Sequence, residues 1–230
     1  MRFLLLLIAS AAPAYLLGSL NGAIIASKTF YRKDVREFGS KNPGLTNFYR
    51  VFGKGGALLV VAIDVVKTVG PVLFGGWLFG RYLCQDMVMF GRLAAGFCVM
   101  MGHCFPLFYR FKGGKGVMAV GAILIVIDWR IALITWGTFI VITVVTRYVS
   151  LGSIIGVLAF PVSLGLLQLG GTKEIIVASM CAALLIARHN ANIKRLVKGE
   201  ESKFSFRRSR KSGEQSDERI NNESDGGNGE

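Results

Sequence analysis

The chain of 230 residues is 52% hydrophobic and only 18% charged, and its 27 Lys and Arg outweigh 14 Asp and Glu to give a formal net charge of +13. Soluble domains carry about 25% charged residues; here long apolar runs alternate with short basic ones, and mean hydropathy is +0.50. A soluble enzyme, a secreted disulfide scaffold and a disordered chain all fit poorly, and nucleic acid is not an expected partner.

In chain order the apolar runs cover 3–27, 56–80, 87–109, 116–128, 131–146, 151–169 and 174–188. A hydrocarbon core about 30 Å thick takes about 20 helical residues. The first three runs and 151–169 meet that length. The other three are short, and 116–146 can also be read as one kinked span. The expected fold is an all-α, polytopic membrane bundle of about seven transmembrane helices, or five on the strict count. Either odd number puts the termini on opposite sides. Arg2, an apolar run and the Ala-rich Ser10–Ala14 imitate a signal peptide. A secretory h-region is only about 7–15 residues long, whereas this run continues to Ser27, so an uncleaved first span is expected.

Basic residues in the loops set the orientation. Segment 28–54 holds seven Lys and Arg against Asp34 and Glu37; Arg110, Lys112 and Lys115 follow the third run, and Arg147 follows the fifth. The loops near 81–86, 128–130 and 170–174 are close to neutral. The basic loops and the C-terminus are therefore expected in the cytoplasm, with the N-terminus outside. Residues 1–200 read as the membrane-embedded domain. Residues 201–230 read as a cytoplasmic tail, basic and then acidic, whose polar composition predicts disorder.

Charges inside apolar runs cost at least about 2.5–3.5 kcal/mol on insertion scales. Asp64 and Lys67, three apart on one helical face, are expected to pair. Arg92 is expected to snorkel, and His103 to be a hydrogen-bonded packing residue. Cys84, Cys98, Cys104 and Cys181 lack metal or redox spacing.

Three polar clusters on the expected cytoplasmic side carry more chemistry. Gly39-Ser40-Lys41-Asn42-Pro43-Gly44-Leu45-Thr46-Asn47-Phe48-Tyr49-Arg50 packs glycines, hydroxyls and amides beside cations. Phe111-Lys112-Gly113-Gly114-Lys115-Gly116 precedes an apolar run, where a curled backbone and a helix N-terminus favour phosphate. It lacks Walker A spacing. Arg188-His189-Asn190-Ala191-Asn192-Ile193-Lys194-Arg195-Leu196 puts His189, Asn192 and Arg195 at helical intervals. A smaller group, Ser150-Leu151-Gly152-Ser153, follows Arg147-Tyr148. All four suit anions, and no carboxylate is expected among them, so a phosphorylated ligand is expected, one partner reaching the site from the bilayer.

These residues resemble the bacterial acyl-phosphate:glycerol-3-phosphate acyltransferases (the PlsY type). The likeness lies in Gly-Ser-x-Asn-x-Gly-x-Thr-Asn-x-x-Arg at 39–50, Gly-His-x-Phe-Pro at 102–106, Phe-Lys-Gly-Gly-Lys-Gly-Val at 111–117 and Arg-His-x-x-Asn-Ile-x-Arg-Leu at 188–196. The pair Asp64/Lys67 and the Ser150/Ser153 group also fit, and the likeness runs from about 13 to 200. It implies a bacterial inner-membrane enzyme, with its active site at the cytoplasmic face. The enzyme would move a fatty acyl group from a long-chain acyl phosphate to the 1-hydroxyl of glycerol 3-phosphate, forming lysophosphatidic acid. It implies no metal and no cofactor, and contact with the enzyme that makes the acyl phosphate. By resemblance the catalytic set is Ser40, Arg50, Lys115, Ser153, His189 and Asn192. Substrate and phosphate binding falls to Asn42, Gly44, Thr46, Asn47, Lys112, Gly113, Gly114, Gly116 and Ser150. The hydroxyl proton has two candidate acceptors, His189 and an oxygen of the acyl phosphate; the lack of a carboxylate to orient His189 favours the second.

Lys41, Pro43, Leu45, Thr68 and Met118-Ala119-Val120 depart from the family pattern without removing an expected donor. Two rival readings are a transporter of organic phosphates and an acyl-CoA-dependent relative. Polar clusters gathered at one face disfavour the first. The absence of His-x-x-x-x-Asp, since neither His103 nor His189 has Asp five positions on, disfavours the second.

Overall fold

The computed structural model describes residues 1–204; the acidic part of the expected tail lies outside them. Among the described residues the chain is helical and without strands. The helices are α1 (Arg2–Gly18), α2 (Gly22–Tyr31), α3 (Leu45–Phe52), α4 (Ala57–Tyr82), α5 (Val88–Cys104), α6 (Val117–Ile127), α7 (Trp129–Thr146), α8 (Val149–Leu166), α9 (Thr172–Arg188) and α10 (Asn190–Val197). Five segments are long and apolar enough to cross a membrane: Arg2–Tyr31, Ala57–Tyr82, Gln85–Tyr109, Trp129–Thr146 and Val149–Leu166. Counting α9 and α10, bent by 59° at His189, as one broken span makes six.

The expected crossing at 116–128 falls to α6, whose 11 residues are too few to cross alone. It is instead a buried wedge, with Ala119, Ile123 and Leu124 in the core. Asp128 ends it. Its extended backbone breaks the helix, and its side chain accepts from the Arg130 N–H to start α7, so 116–146 is not one kinked span. Nor does Arg92 snorkel. Its Nη1 donates to the Val126 carbonyl at 3.0 Å, among the carbonyls that the end of α6 leaves free.

α1 packs on α5, α4 on α5, α7 on α8, and α6 wedges between α4, α5 and α7. The core joins Val72, Leu93, Met100, Ile123, Phe160, Leu164 and Leu185. Outward-facing Leu133, Val144, Val145 and Leu166 are exposed, as an apolar solvent around the bundle requires. The α1–α5 contact depends on two glycines. A Cβ on Gly18 would meet the Val99 carbonyl, and one on Gly102 the Tyr15 carbonyl. Small residues let backbones come this close in membranes.

Gly102→Leu should therefore separate α1 from α5, costing at least about 1–3 kcal/mol of overpacking. A lower melting temperature in detergent checks this, with Gly137→Ala as control, because nothing lies within 4 Å of a Cβ there.

Candidate active site

The helix break at 19–21 anchors the first polar cluster. Asn21 caps α2 by accepting from the Ile24 N–H at 3.0 Å, and its Nδ2 donates to the Pro43 carbonyl at 3.1 Å. Asn47, almost fully buried, takes the Ser40 N–H on Oδ1 at 2.9 Å and donates to the Val35 and Phe38 carbonyls. Its amide is thus committed to backbone, and it holds the Ser40 loop instead of offering donors to a ligand. Phe48 and Phe52 pack against Tyr31 and seat α3 on α2, which sets Arg50 at the last turn of α3.

The glycine loop is clamped from two sides. The Gly114 N–H donates to the His103 carbonyl at 3.1 Å, while Arg188 on α9 donates to the carbonyls of Gly113 (3.1 Å) and Gly114 (3.2 Å). The Gly114 amide is therefore spent, and the expected cradle of loop amides is only partly open. What remains is the start of α6. Gly116, at φ 86°, turns the chain into the helix, and no side chain caps its first turn. The free N–H groups there favour an anion.

A carboxylate closes the third cluster, contrary to the expectation that the clusters contain none. After α10 the chain reverses at Gly199, φ 70°, with the Glu200 N–H bonded to the Arg195 carbonyl at 2.8 Å. This glycine C-cap returns Glu201 to the helix it has just left. Glu201 Oε1 accepts from Ser150 Oγ and Asn192 Nδ2, each at 2.6 Å, and Oε2 from Arg195 Nε at 2.7 Å. Burial raises its pKa, but the three hydrogen bonds outweigh this and hold the carboxyl below its ordinary range. Residue 201, assigned to the tail by composition, thus sits in the site. The missed signal is the glycine two residues earlier, a helix-stop mark that reads as a reversal only with the fold known.

His189 caps the end of α9. Its Nδ1 lies 2.8 Å from the Leu185 carbonyl. A carbonyl only accepts, so Nδ1 carries the proton and Nε2 is left as the acceptor. Ser153 donates to the Val149 carbonyl at 2.9 Å. Asn192 Oδ1 is buried with no partner.

One cavity of about 880 Å³ collects these groups: Ser40, Asn42, Gly44, Thr46, Asn47, Arg50, Lys115, Gly116, Ser150, Ser153, His189, Asn192 and Glu201. An apolar arm continues from it along Val117, Val120, Gly121, Leu124, Trp136, Phe139 and Val157. Lys112 and Gly113 line an adjoining basic vestibule that shares Ser40, Asn42, Lys115 and Asn192 with the cavity. Gly114 packs behind, on His103. Four sequence-distant clusters are thus brought to one place. Among the described residues no group of His, Cys, Asp and Glu converges as a metal site. Burial pushes the Lys115 ammonium down to about 8, with Glu201 opposing and Arg195, Arg188 and Arg50 adding to the fall.

Fold and cavity define a polytopic membrane protein whose pocket joins a cation-lined end to an apolar arm. A family model described as glycerol-3-phosphate acyltransferase matches residues 8–199, and the chain belongs to that family. It is 38% identical over 195 residues to the glycerol-3-phosphate acyltransferase of Thermoanaerobacter pseudethanolicus, covering 85% of this chain and 94% of the relative. With that of Methylococcus capsulatus it shares 37% identity over 196 residues, covering 85% and 94%. The solved structure of PlsY, an integral membrane glycerol 3-phosphate acyltransferase, in its glycerol 3-phosphate form superposes with a TM-score of 0.76 at 32% identity, covering 86% of this chain and 96% of that one. Its lysophosphatidic acid form gives 0.73 at 30% identity, covering 86% and 95%.

Because Lys115 holds its charge only below about pH 8, kcat/KM should fall as pH rises through that value in the free enzyme. Lys115→Arg, charged at all accessible pH, should flatten the fall at a lower maximal rate. Glu201→Ala removes the acceptor shared by Ser150, Asn192 and Arg195 and should lower kcat/KM about tenfold or more. Steady-state assays across pH 6–10 check both.

Proposed function

We propose that the protein transfers a fatty acyl group from a long-chain acyl phosphate to the 1-hydroxyl of glycerol 3-phosphate. The reaction takes place at the cytoplasmic face of a bacterial inner membrane, with the N-terminus outside. The products are lysophosphatidic acid and inorganic phosphate, and the enzyme that makes the acyl phosphate is a natural partner. The observation that carries this reading is the continuity of the cavity: cations and free amides at one end, an apolar arm at the other. A ligand with a phosphate head and a hydrocarbon tail has that polarity.

In this reading Arg50 anchors glycerol phosphate, while Lys115 and the first turn of α6 hold the acyl phosphate. The hydroxyl of glycerol phosphate donates to Asn192 Oδ1, the acceptor left unpaired. Asn192 is oriented for this, because its Nδ2 must face the Glu201 carboxylate. The hydroxyl oxygen attacks the acyl carbon, the bond from that carbon to the phosphate oxygen breaks, and phosphate leaves with the electron pair. The hydroxyl proton passes to an oxygen of that phosphate. The donor is a mixed anhydride, already activated, so no covalent enzyme intermediate is needed. The protein supplies proximity, worth about 7–11 kcal/mol of barrier, and positive charge for the developing oxyanion and the leaving phosphate. Ser40 and Ser153 complete the lining, and Gly113 and Gly114 shape the loop that carries Lys115.

Purified protein in detergent, given labelled glycerol 3-phosphate, should form product with palmitoyl phosphate and not with palmitoyl-CoA. The reverse donor preference, or vesicle transport without conversion, overturns the proposal. His189→Ala should lower kcat by less than about 100-fold; a loss near 10⁴-fold, the top of the range for general-base catalysis, would make His189 the proton acceptor.

A further inference from the structure

Beside the cavity lies a buried group that the reaction above leaves unused. His103 on α5 is only 3% exposed, yet it lines the cavity together with Asp64 of α4. Lys67 Nζ contacts Asp64 Oδ1 at 2.8 Å and His103 Nδ1 at 3.0 Å, and it also donates to the Leu20 carbonyl. An ammonium has three hydrogens and accepts none. Here three acceptors surround it, so His103 Nδ1 is the bare nitrogen and the proton of the neutral ring sits on Nε2. This is the opposite tautomer to that of His189, whose Nδ1 faces a carbonyl.

A Cβ on Gly114 would meet His103 Nε2 first, so any side chain at 114 would run into it. Glycine therefore keeps this N–H at the edge of the loop that carries Lys115. The polar contacts of the His103 ring run through Nδ1, and Nε2 is not among the described side-chain atoms enclosed without a partner, so Nε2–H opens on the cavity that His103 lines. A donor that opens on a cavity without a protein partner is free for a ligand or a solvent molecule. The cations that converge on the same cavity select an anion as that ligand.

We propose that His103 is a further substrate-binding residue: its Nε2–H donates to an anionic phosphate oxygen seated beside the Gly113–Gly114 loop, with the Asp64–Lys67 pair fixing the tautomer. The proposal rests on the acyltransfer reading for the identity of the phosphate, which belongs either to glycerol 3-phosphate or to the acyl phosphate. Both present the same chemistry to an N–H donor.

Asparagine and glutamine separate direct binding from packing. The amide of Asn lies where Nδ1 is and can satisfy Lys67; the amide of Gln reaches to where Nε2 is. With the full chain in detergent, H103N should keep its melting temperature and raise KM for one of the two substrates about tenfold or more, the loss of a hydrogen bond to a charged group. H103Q should stay within about threefold of the parent. The KM that moves identifies the phosphate. Unchanged KM values in H103N, or equal losses in both variants with the fold intact, overturn the proposal.

A second measurement needs neither variant nor turnover. The chain has two histidines, so nitrogen spectra of isotope-labelled histidine resolve both rings. His103 should appear as the Nε2–H tautomer and its Nε2 resonance should move on addition of inorganic phosphate. An Nδ1–H tautomer, or no response at saturating phosphate, overturns the proposal even if the acyl-phosphate reaction itself is not observed.

Discussion

A positive charge buried among apolar helices organises this molecule. Lys67 is 5% exposed, and its ammonium is satisfied only where Asp64, His103 and the Leu20 carbonyl meet. Those partners come from α4, α5 and the break between α1 and α2. Removing one partner of such a pair leaves an uncompensated charge, at a cost of about 3–5 kcal/mol. The interaction therefore fixes where α1 breaks and how α4 and α5 register. Asn21, in the same break, carries the Pro43 loop, and His103 carries the glycine loop through its carbonyl.

The polar end of the cavity follows from that frame. Lys115, Arg188, Arg195 and Arg50 would repel one another if simply collected. Two of them are given acceptors: Arg188 takes the carbonyls of Gly113 and Gly114, and Arg195 takes Glu201. Lys115 and Arg50 have no ion-pair partner among the described residues, so their charge is free for a ligand. Burial lowers the pKa of Lys115, and the neighbouring guanidinium groups add to the fall. Glu201 does two things at once. It neutralises part of the cluster, and it turns Asn192 so that an unpaired acceptor, Oδ1, remains in the cavity.

The apolar arm has a different origin. α6 is too short to cross a bilayer, and its end is held by Arg92, so the space beside it is lined by α7 and α8 without being filled by them. A short helix pinned at its far end with an uncapped N-terminus at the polar end brings free N–H groups and an apolar arm into one cavity. Few other placements of an uncapped helix start are tolerable in a membrane, because the unsatisfied N–H groups need a polar partner.

The sequence by itself determined the class of fold, since runs of apolar residues long enough to cross a bilayer leave no other solvent for them. It also determined the ligand chemistry, because glycines, amides and cations recur at 39–50, 111–116 and 188–196 in a chain otherwise poor in charge. These are local properties, legible in composition and spacing. Tertiary structure decided what each polar atom is free to do. Asn47 reads as a binder but is spent on backbone, the Gly114 amide is consumed by His103, and Glu201 reads as tail but enters the site. It also decided that 116–128 forms one short helix, Val117–Ile127, wedged among α4, α5 and α7. Whether a hydrogen bond is already taken depends on how the chain turns back on itself, 7 to 12 residues away for Asn47 and 51 for Glu201 and Ser150, and no local pattern encodes that return.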